Sequence, residues 1–194
     1  LKIRMRNKVD RQEYPEINIT DNRDNQEYHA ILVEDIWWMT QNLNYELKEG
    51  SYCYNEKVES KLGRLYTWTS AQSACPSGWL LPSDNDWMKL ESYLGMPEIE
   101  LNKFGDRRGN IAVRVREFGD VPLEIIYAGT GSDSIVPAFY NLYSNGYYWT
   151  STAIDSVKAI CREFNQWTSP ARFIDNKEMK FSIRCIKKHN RYDL

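Results

Sequence analysis

Long hydrophobic runs are missing from this chain. No apolar stretch approaches the roughly 20 residues that a helix needs to cross a bilayer, so no transmembrane segment is expected. Histidine is scarce: there are 2 in 194 residues, and His29 and His189 are not spaced as metal ligands. None of the 4 cysteines, Cys53, Cys75, Cys161 and Cys185, forms a C-x-x-C pair, which argues against zinc. The sequence has no G-x-S-x-G, no H-E-x-x-H and no glycine-rich phosphate loop. These gaps remove the common hydrolase, metalloprotease and nucleotide-binding readings, and neither a metal nor a cofactor is expected. A basic excess is lacking as well. Lys and Arg number 25 against 27 Asp and Glu, so no nucleic-acid-binding face is expected. The short basic clusters at residues 4–8 and at Arg107-Arg108 read as solvated surface.

Aromatic residues, by contrast, are abundant. Seven Trp, 13 Tyr and 6 Phe sit in a chain whose mean hydropathy is -0.64. That combination suggests a modest core with many loops, whose rings plug loop interiors or lie exposed as contact surface. The even cysteine count suggests one or two disulfides in an oxidising compartment. Spacing alone leaves all three pairings open. The chain opens on Leu1 and reads as a trimmed form, which leaves an export signal upstream open.

The length fits one sizeable domain. Residues 1–20 are charged and aperiodic and read as an arm or linker, residues 21–188 as the domain, and residues 189–194 as a tail. Residues 21–26 suit a hairpin turn, with Asn25 tolerating positive φ, and residues 28–36 read as a strand. A short helix over 70–74 is stopped by Cys75-Pro76. A second starts at Ser83, three residues before Asp86 in a capping-box variant. It carries Trp87, Leu90, Glu91 and Leu94 at helical spacing and ends at Gly95. Asp84 and Asp86 then read as acids favoured at a helix N-terminus. Strand patterns follow at 110–116, 121–128, 147–153, 159–164 and 181–186, with a polar loop at 129–145. Asp133 and Asp155 could serve as a carboxylate pair, but nothing in the sequence brings them together. Helices early and strands late predict an α+β domain.

Five segments, in order, carry a resemblance. Trp38-Met39-Thr40-Gln41-Asn42-Leu43-Asn44-Tyr45 resembles W-M-x-x-N-L-N-Y, and Gly63-Arg64-Leu65-Tyr66-Thr67-Trp68 resembles G-R-L-Y-x-W. Ala74-Cys75-Pro76-Ser77-Gly78-Trp79-Leu80-Leu81-Pro82-Ser83 resembles A-C-P-x-G-W-x-L-P-S. Gly146-Tyr147-Tyr148-Trp149-Thr150-Ser151-Thr152 resembles G-Y-Y-W-S-S-T, and Phe181-Ser182-Ile183-Arg184-Cys185-Ile186 resembles F-S-V-R-C-V. Together they are similar to the Fibrobacter succinogenes major paralogous domain family. The sequence departs from that pattern at Leu80, in place of His, and at Glu34-Asp35, in place of a glycine-containing turn. Tyr127 stands at a usual Pro position, and residues 103–119 match poorly.

The resemblance implies a C-type-lectin-like fold, shared with the formylglycine-generating superfamily, in exported bacterial proteins that are often lipoproteins. It therefore implies an extracellular or cell-surface location and leaves a lipid anchor upstream of Leu1 open. It also implies a Cys75–Cys185 disulfide, closing a loop of about a hundred residues worth roughly 4–5 kcal/mol in the chain-entropy model. Cys53 and Cys161 remain as the other candidate pair. The copper thiol pair of the oxidoreductase relatives has no counterpart, because the last strand offers only Cys185. The E-P-N, Q-P-D and W-N-D motifs of calcium-dependent lectins are absent too. The resulting expectation is a non-catalytic surface module that binds a glycan or a surface protein through late loops. Its candidate ligand residues are Tyr140, Asn141, Tyr143, Asn145, Tyr147 and Trp167, while Trp149 reads as core. The alternatives are a structural adhesion component without a small-molecule site and, more remotely, a formylglycine-generating-like oxidoreductase.

Overall fold

The computed structural model describes residues 13–53, 60–115, 121–132, 138–165 and 170–189. Three helices and mostly antiparallel sheets make an α+β fold. The first sheet has the order β1-β2-β3-β11, from β1 (Glu16–Asp21), β2 (Gln26–Val33), β3 (Ile36–Met39) and β11 (Ile186–Lys188). A short pair, β4 (Ser51–Tyr52) with β5 (Leu65–Tyr66), precedes α1 (Trp68–Ala74), α2 (Asp84–Tyr93) and α3 (Glu98–Leu101). The pair β6 (Thr130–Ser132) and β7 (Ala138–Tyr140) then leads into the second large sheet. That sheet has the order β10-β9-β8, from β8 (Asn145–Ala153), β9 (Lys158–Asn165) and β10 (Ala171–Asn176). No helix among the described residues is long and apolar enough to cross a membrane.

The start and stop signals explain the early elements. Asn25 holds φ at 61° in the β1–β2 turn, as expected of a residue that tolerates the left-handed region. The strand β1 begins at Glu16, so the end of the presumed arm is an edge strand paired with β2. Helix α1 begins two residues before the 70–74 span, where Thr67 accepts the Ser70 amide, and it stops at Cys75, which Pro76 keeps extended. Helix α2 has the full capping box between Ser83 and Asp86. Its far end is closed by Gly95 at φ 92°, with Gly95 N–H on Ser92 and Met96 N–H on Glu91, a Schellman arrangement.

Two large apolar clusters and a small third one, of Leu62, Leu65 and Ala128, form the core, and the two large sheets lie between the first two. One contains Ile31, Val33, Trp38, Trp87, Leu90, Leu94, Tyr148 and Phe164; the other contains Tyr28, Ala30, Met39, Tyr66, Trp79, Trp149, Phe181 and Ile183. Because strand side chains alternate, β2 and β8 each send residues to both clusters. Trp149 is fully buried core, with its indole N–H on the Tyr66 carbonyl at 2.8 Å. The disulfide Cys75–Cys185 ties the end of α1 to the residue before β11 across a separation of 110.

Three expected strands take other forms. Residues 111–113 form a 3-10 turn, because Ile111, Ala112 and Val115 are the buried positions, a spacing of one and four that suits a helical turn. Val121, Leu123 and Ile125 alternate inward as a strand would, but no ladder forms. The carbonyls of Leu123 and Glu124 are taken instead by the Arg184 guanidinium at 2.6 and 3.3 Å. Residues 181–185 change partners almost residue by residue, bonding to Tyr66, Tyr147, Trp149, Leu43 and Met39, so only 186–188 form a regular strand.

Two charge assignments also change. Arg107 is buried, not solvated, and its guanidinium meets Glu91 at 2.6 Å. Asp84 serves the interior more than the helix end: it binds Arg162 at 2.8 Å and Arg172 at 2.7 Å. Glu91 closes the network on Arg162 at 2.6 Å. Burial alone would push the Asp84 carboxyl up, but the Arg172 hydrogen bond and the Arg162 charge together hold it below its ordinary range. Cys53 and Cys161 are free, so the second disulfide does not form. Cys161 points into the second apolar cluster beside Phe173, and burial pushes its thiol far up, which leaves it inert.

Candidate functional site

The motif residues prove to be scaffold. Asn42 and Arg184 lie in segments 142 residues apart in sequence, yet Asn42 Oδ1 accepts from the Arg184 guanidinium at 2.9 Å. Asn42 also donates to the Ser182 hydroxyl and the Leu62 carbonyl. Arg184 donates further to the carbonyls of Met39 and Thr40. Tyr66 gives its hydroxyl proton to the Tyr45 carbonyl at 2.7 Å. These bonds lock the segments around residues 38–45, 62–66 and 181–186 together inside the fold.

The late loops differ. Between β7 and β8 the chain makes a tight turn, with Ser144 and Asn145 N–H groups both on the Asn141 carbonyl. Asn141 and Tyr143 stand at φ 58° and 61°. Asn adopts that region readily, whereas a bulky residue there is a real outlier. Tyr140 and Tyr143 are 49% and 58% exposed, so two rings are presented to solvent from one turn. The same turn contributes to a polar cluster. Asn141 Nδ2 donates to the Tyr147 hydroxyl at 2.9 Å, Tyr147 donates to Glu163 Oε1 at 3.4 Å, and the Asn145 amide donates to the same oxygen. Tyr147 and Glu163 pair across β8 and β9, which sets them on one face of the sheet. Burial pushes the Tyr147 hydroxyl up, and the Glu163 charge adds to the shift.

The structure thus brings Asn141, Asn145 and Tyr147 into one cluster and places Tyr140 and Tyr143 at its exposed margin. Tyr147 is split in role, since its ring stacks on Phe181 at 5.3 Å while its hydroxyl joins the cluster. Trp167 and Asp133 lie outside the described residues. Asp155 is a turn cap, accepting from Val157 and Lys158 N–H groups. Glu163 was missed by sequence reading; its only signal was the β9 register, which is invisible until β8 and β9 are paired.

A separate open groove of about 650 Å³ is lined by Lys48, Glu49, Ser51, Tyr52, Thr69 and Glu178 among others, and shares no residue with the late-loop cluster. Its Thr67 and Ser70 hydroxyls bond to each other and Ser70 to the Glu49 carbonyl, so these polar groups serve the local turn. The late-loop surface is the better candidate because its amides, phenol and carboxylate are held in fixed relation. No group of three or more His, Cys, Asp or Glu side chains among the described residues is arranged to hold a metal.

Fold and surface together define an α+β domain that presents an aromatic platform. The family model of the Fibrobacter succinogenes major domain matches residues 31–187, well over half of the chain, and the chain belongs to that family. Neither the curated proteins nor the solved structures contain a match.

Proposed function

We propose that this chain is an exported, non-catalytic surface module of C-type-lectin-like architecture that binds a glycan along its late loops. The observation that carries the reading is Tyr143: an exposed tyrosine kept at a left-handed position where Asn or Gly would cost less. Tyr rings give flat, rigid contact area with a polar edge, suited to the C–H faces and hydroxyls of sugars. The platform is open, which favours a polymeric ligand lying across it over a small molecule enclosed in a pocket. The lectin-like architecture is supported by the terminal strand β11 pairing with the early β3, and by the disulfide from α1 to the last strand segment. That disulfide also supports export, since such bonds persist in oxidising compartments. It engages Cys185, which supports a role other than thiol oxidation.

A glycan array with the purified domain tests the reading. Binding is expected to one or more polysaccharide classes, and Tyr143→Ala and Tyr140→Ala should each weaken it by about tenfold or more, as aromatic anchors do. Uniform silence on the array would sink the glycan role. Unchanged affinity in both variants would move the site elsewhere.

A further inference from the structure

The bonding inside the late-loop cluster consumes donors and leaves acceptors. The Tyr147 O–H and one N–H of the Asn145 amide both end on Glu163 Oε1, and one N–H of Asn141 ends on the Tyr147 oxygen. The second carboxylate oxygen of Glu163 and the side-chain carbonyls of Asn141 and Asn145 have no partner among the described residues. An ionised carboxylate has room for about four donors, and only two are supplied here. Glu163 also has no Lys or Arg partner among the described residues. The other acidic group on this face, Asp175 of β10, adds to the negative field at Tyr147 instead of cancelling it. Tyr140 and Tyr143, which flank the cluster residue Asn141 in the chain, are exposed, and the faces of tyrosine rings attract cations.

From this arrangement we infer that the late-loop site selects its glycan by charge: it takes saccharide units bearing a free ammonium group, accepts neutral units less well, and excludes uronate and sulfate units. An ammonium brings three donors to an acceptor-rich cluster and a positive charge to an unneutralised carboxylate. An N-acetylated unit keeps the hydroxyl donors but loses the charge. A uronate sets carboxylate against carboxylate. The inference rests on the glycan reading above and specifies the ligand class of that same site.

The test compares three oligosaccharides of equal length, a glucosamine hexamer, an N-acetylglucosamine hexamer and a galacturonate hexamer, by calorimetric titration near pH 6 at fixed ionic strength. The glucosamine hexamer should bind about tenfold more tightly than its acetylated form, and the galacturonate hexamer should not bind. Glu163→Gln should bring the first two within about twofold of each other. Should that variant fold poorly, the wild-type protein still answers, because added salt should shrink the preference by screening the charge. Tyr143→Ala, which keeps every charge, should weaken binding of both by about tenfold or more; unweakened binding would mean diffuse attraction to an acidic surface and would overturn the assignment. Equal or tighter binding of galacturonate, a preference that survives in Glu163→Gln, or a salt-insensitive preference would also overturn it. Binding only to other neutral glycans on the array would leave the glycan role standing and remove the charge selection. Silence toward every glycan would remove both.

Discussion

Glu91 shows how much depends on a single side chain. Its carboxylate, 1% exposed, faces Arg107 in the loop after α3 and Arg162 on β9, and both guanidinium groups are wholly buried. The network holds Asp84 and Glu91 against Arg107, Arg162 and Arg172, so it already carries one more positive than negative charge. Removing one carboxylate charge leaves a buried surplus that water cannot reach. Glu91→Gln keeps the shape and loses the charge, and it should cost about 3–5 kcal/mol, the range for breaking a buried ion pair from one side. The fall in urea midpoint checks it; a loss below about 1 kcal/mol would mean that the network is solvated or readily rearranged. Glu34 makes a milder point at this scale. It occupies the left-handed position of the β2–β3 turn at φ 55°, where the family pattern has a glycine-containing turn. The departure from the pattern altered the residue and kept the turn.

At the scale of elements, what the sequence disclosed and what it hid divide along a physical line. Helix ends are local: Ser83, Asp86 and Gly95 act within a few residues of themselves, and the structure puts each where its chemistry predicts. Ser83→Ala removes the acceptor for the Asp86 N–H and the hydroxyl donor to the Asp86 carboxylate, while the reciprocal bond from the residue-83 backbone N–H stays. It should cost about 1 kcal/mol, the usual worth of an N-cap. Thermal unfolding of the variant checks this, and no change would show that the backbone bond to Asp86 and its Lys188 contact hold the helix end without the hydroxyl. Ladders are not local. The 121–128 segment has the alternation of a strand, but its carbonyls are claimed by an arginine some 60 residues away, which no window of sequence reveals. Arg107 misled for the same reason: a charged side chain reads as surface until its partner across 16 residues is known. The candidate site falls between these cases. Tyr140, Asn141, Tyr143 and Asn145 were legible because a turn is a local object, whereas Glu163 reaches them only through the β8–β9 register.

Over the whole molecule, fixed charge and chain topology combine into one acid response. Three carboxyls sit below their ordinary range: Asp21 through its hydrogen bond to Arg23, and Asp84 and Asp86 because their partners outweigh the burial that pushes them up. A carboxylate whose folded value lies below its unfolded value, near 4, stabilises the fold fully above that value. It loses this contribution as pH falls toward the folded value. Asp175 opposes them, since burial raises it and its protonation favours the fold. Glu100, buried and held by Lys103 and the Arg108 N–H, and the exposed Asp155 are lowered as well and act in the same direction. The lowered groups outnumber the one raised group and set the sign. The urea midpoint should stay nearly flat from pH 8 to about 5 and then fall below about pH 4, with a loss on the order of a few kcal/mol by linkage. Because Asp84 lies in the first turn of α2 while Arg162 and Arg172 lie on β9 and β10, its protonation loosens the helix from the second sheet, and protonation of Asp86 releases Lys188 at the end of β11. The Cys75–Cys185 bond leaves that interface and joins α1 to the first sheet instead, so it limits how far the acid-loosened chain can expand without resisting the loosening itself. Amide exchange at pH 3 should therefore rise in α2 before it rises in β2 and β3, and the reverse order would show that the ion network is not what binds the two halves.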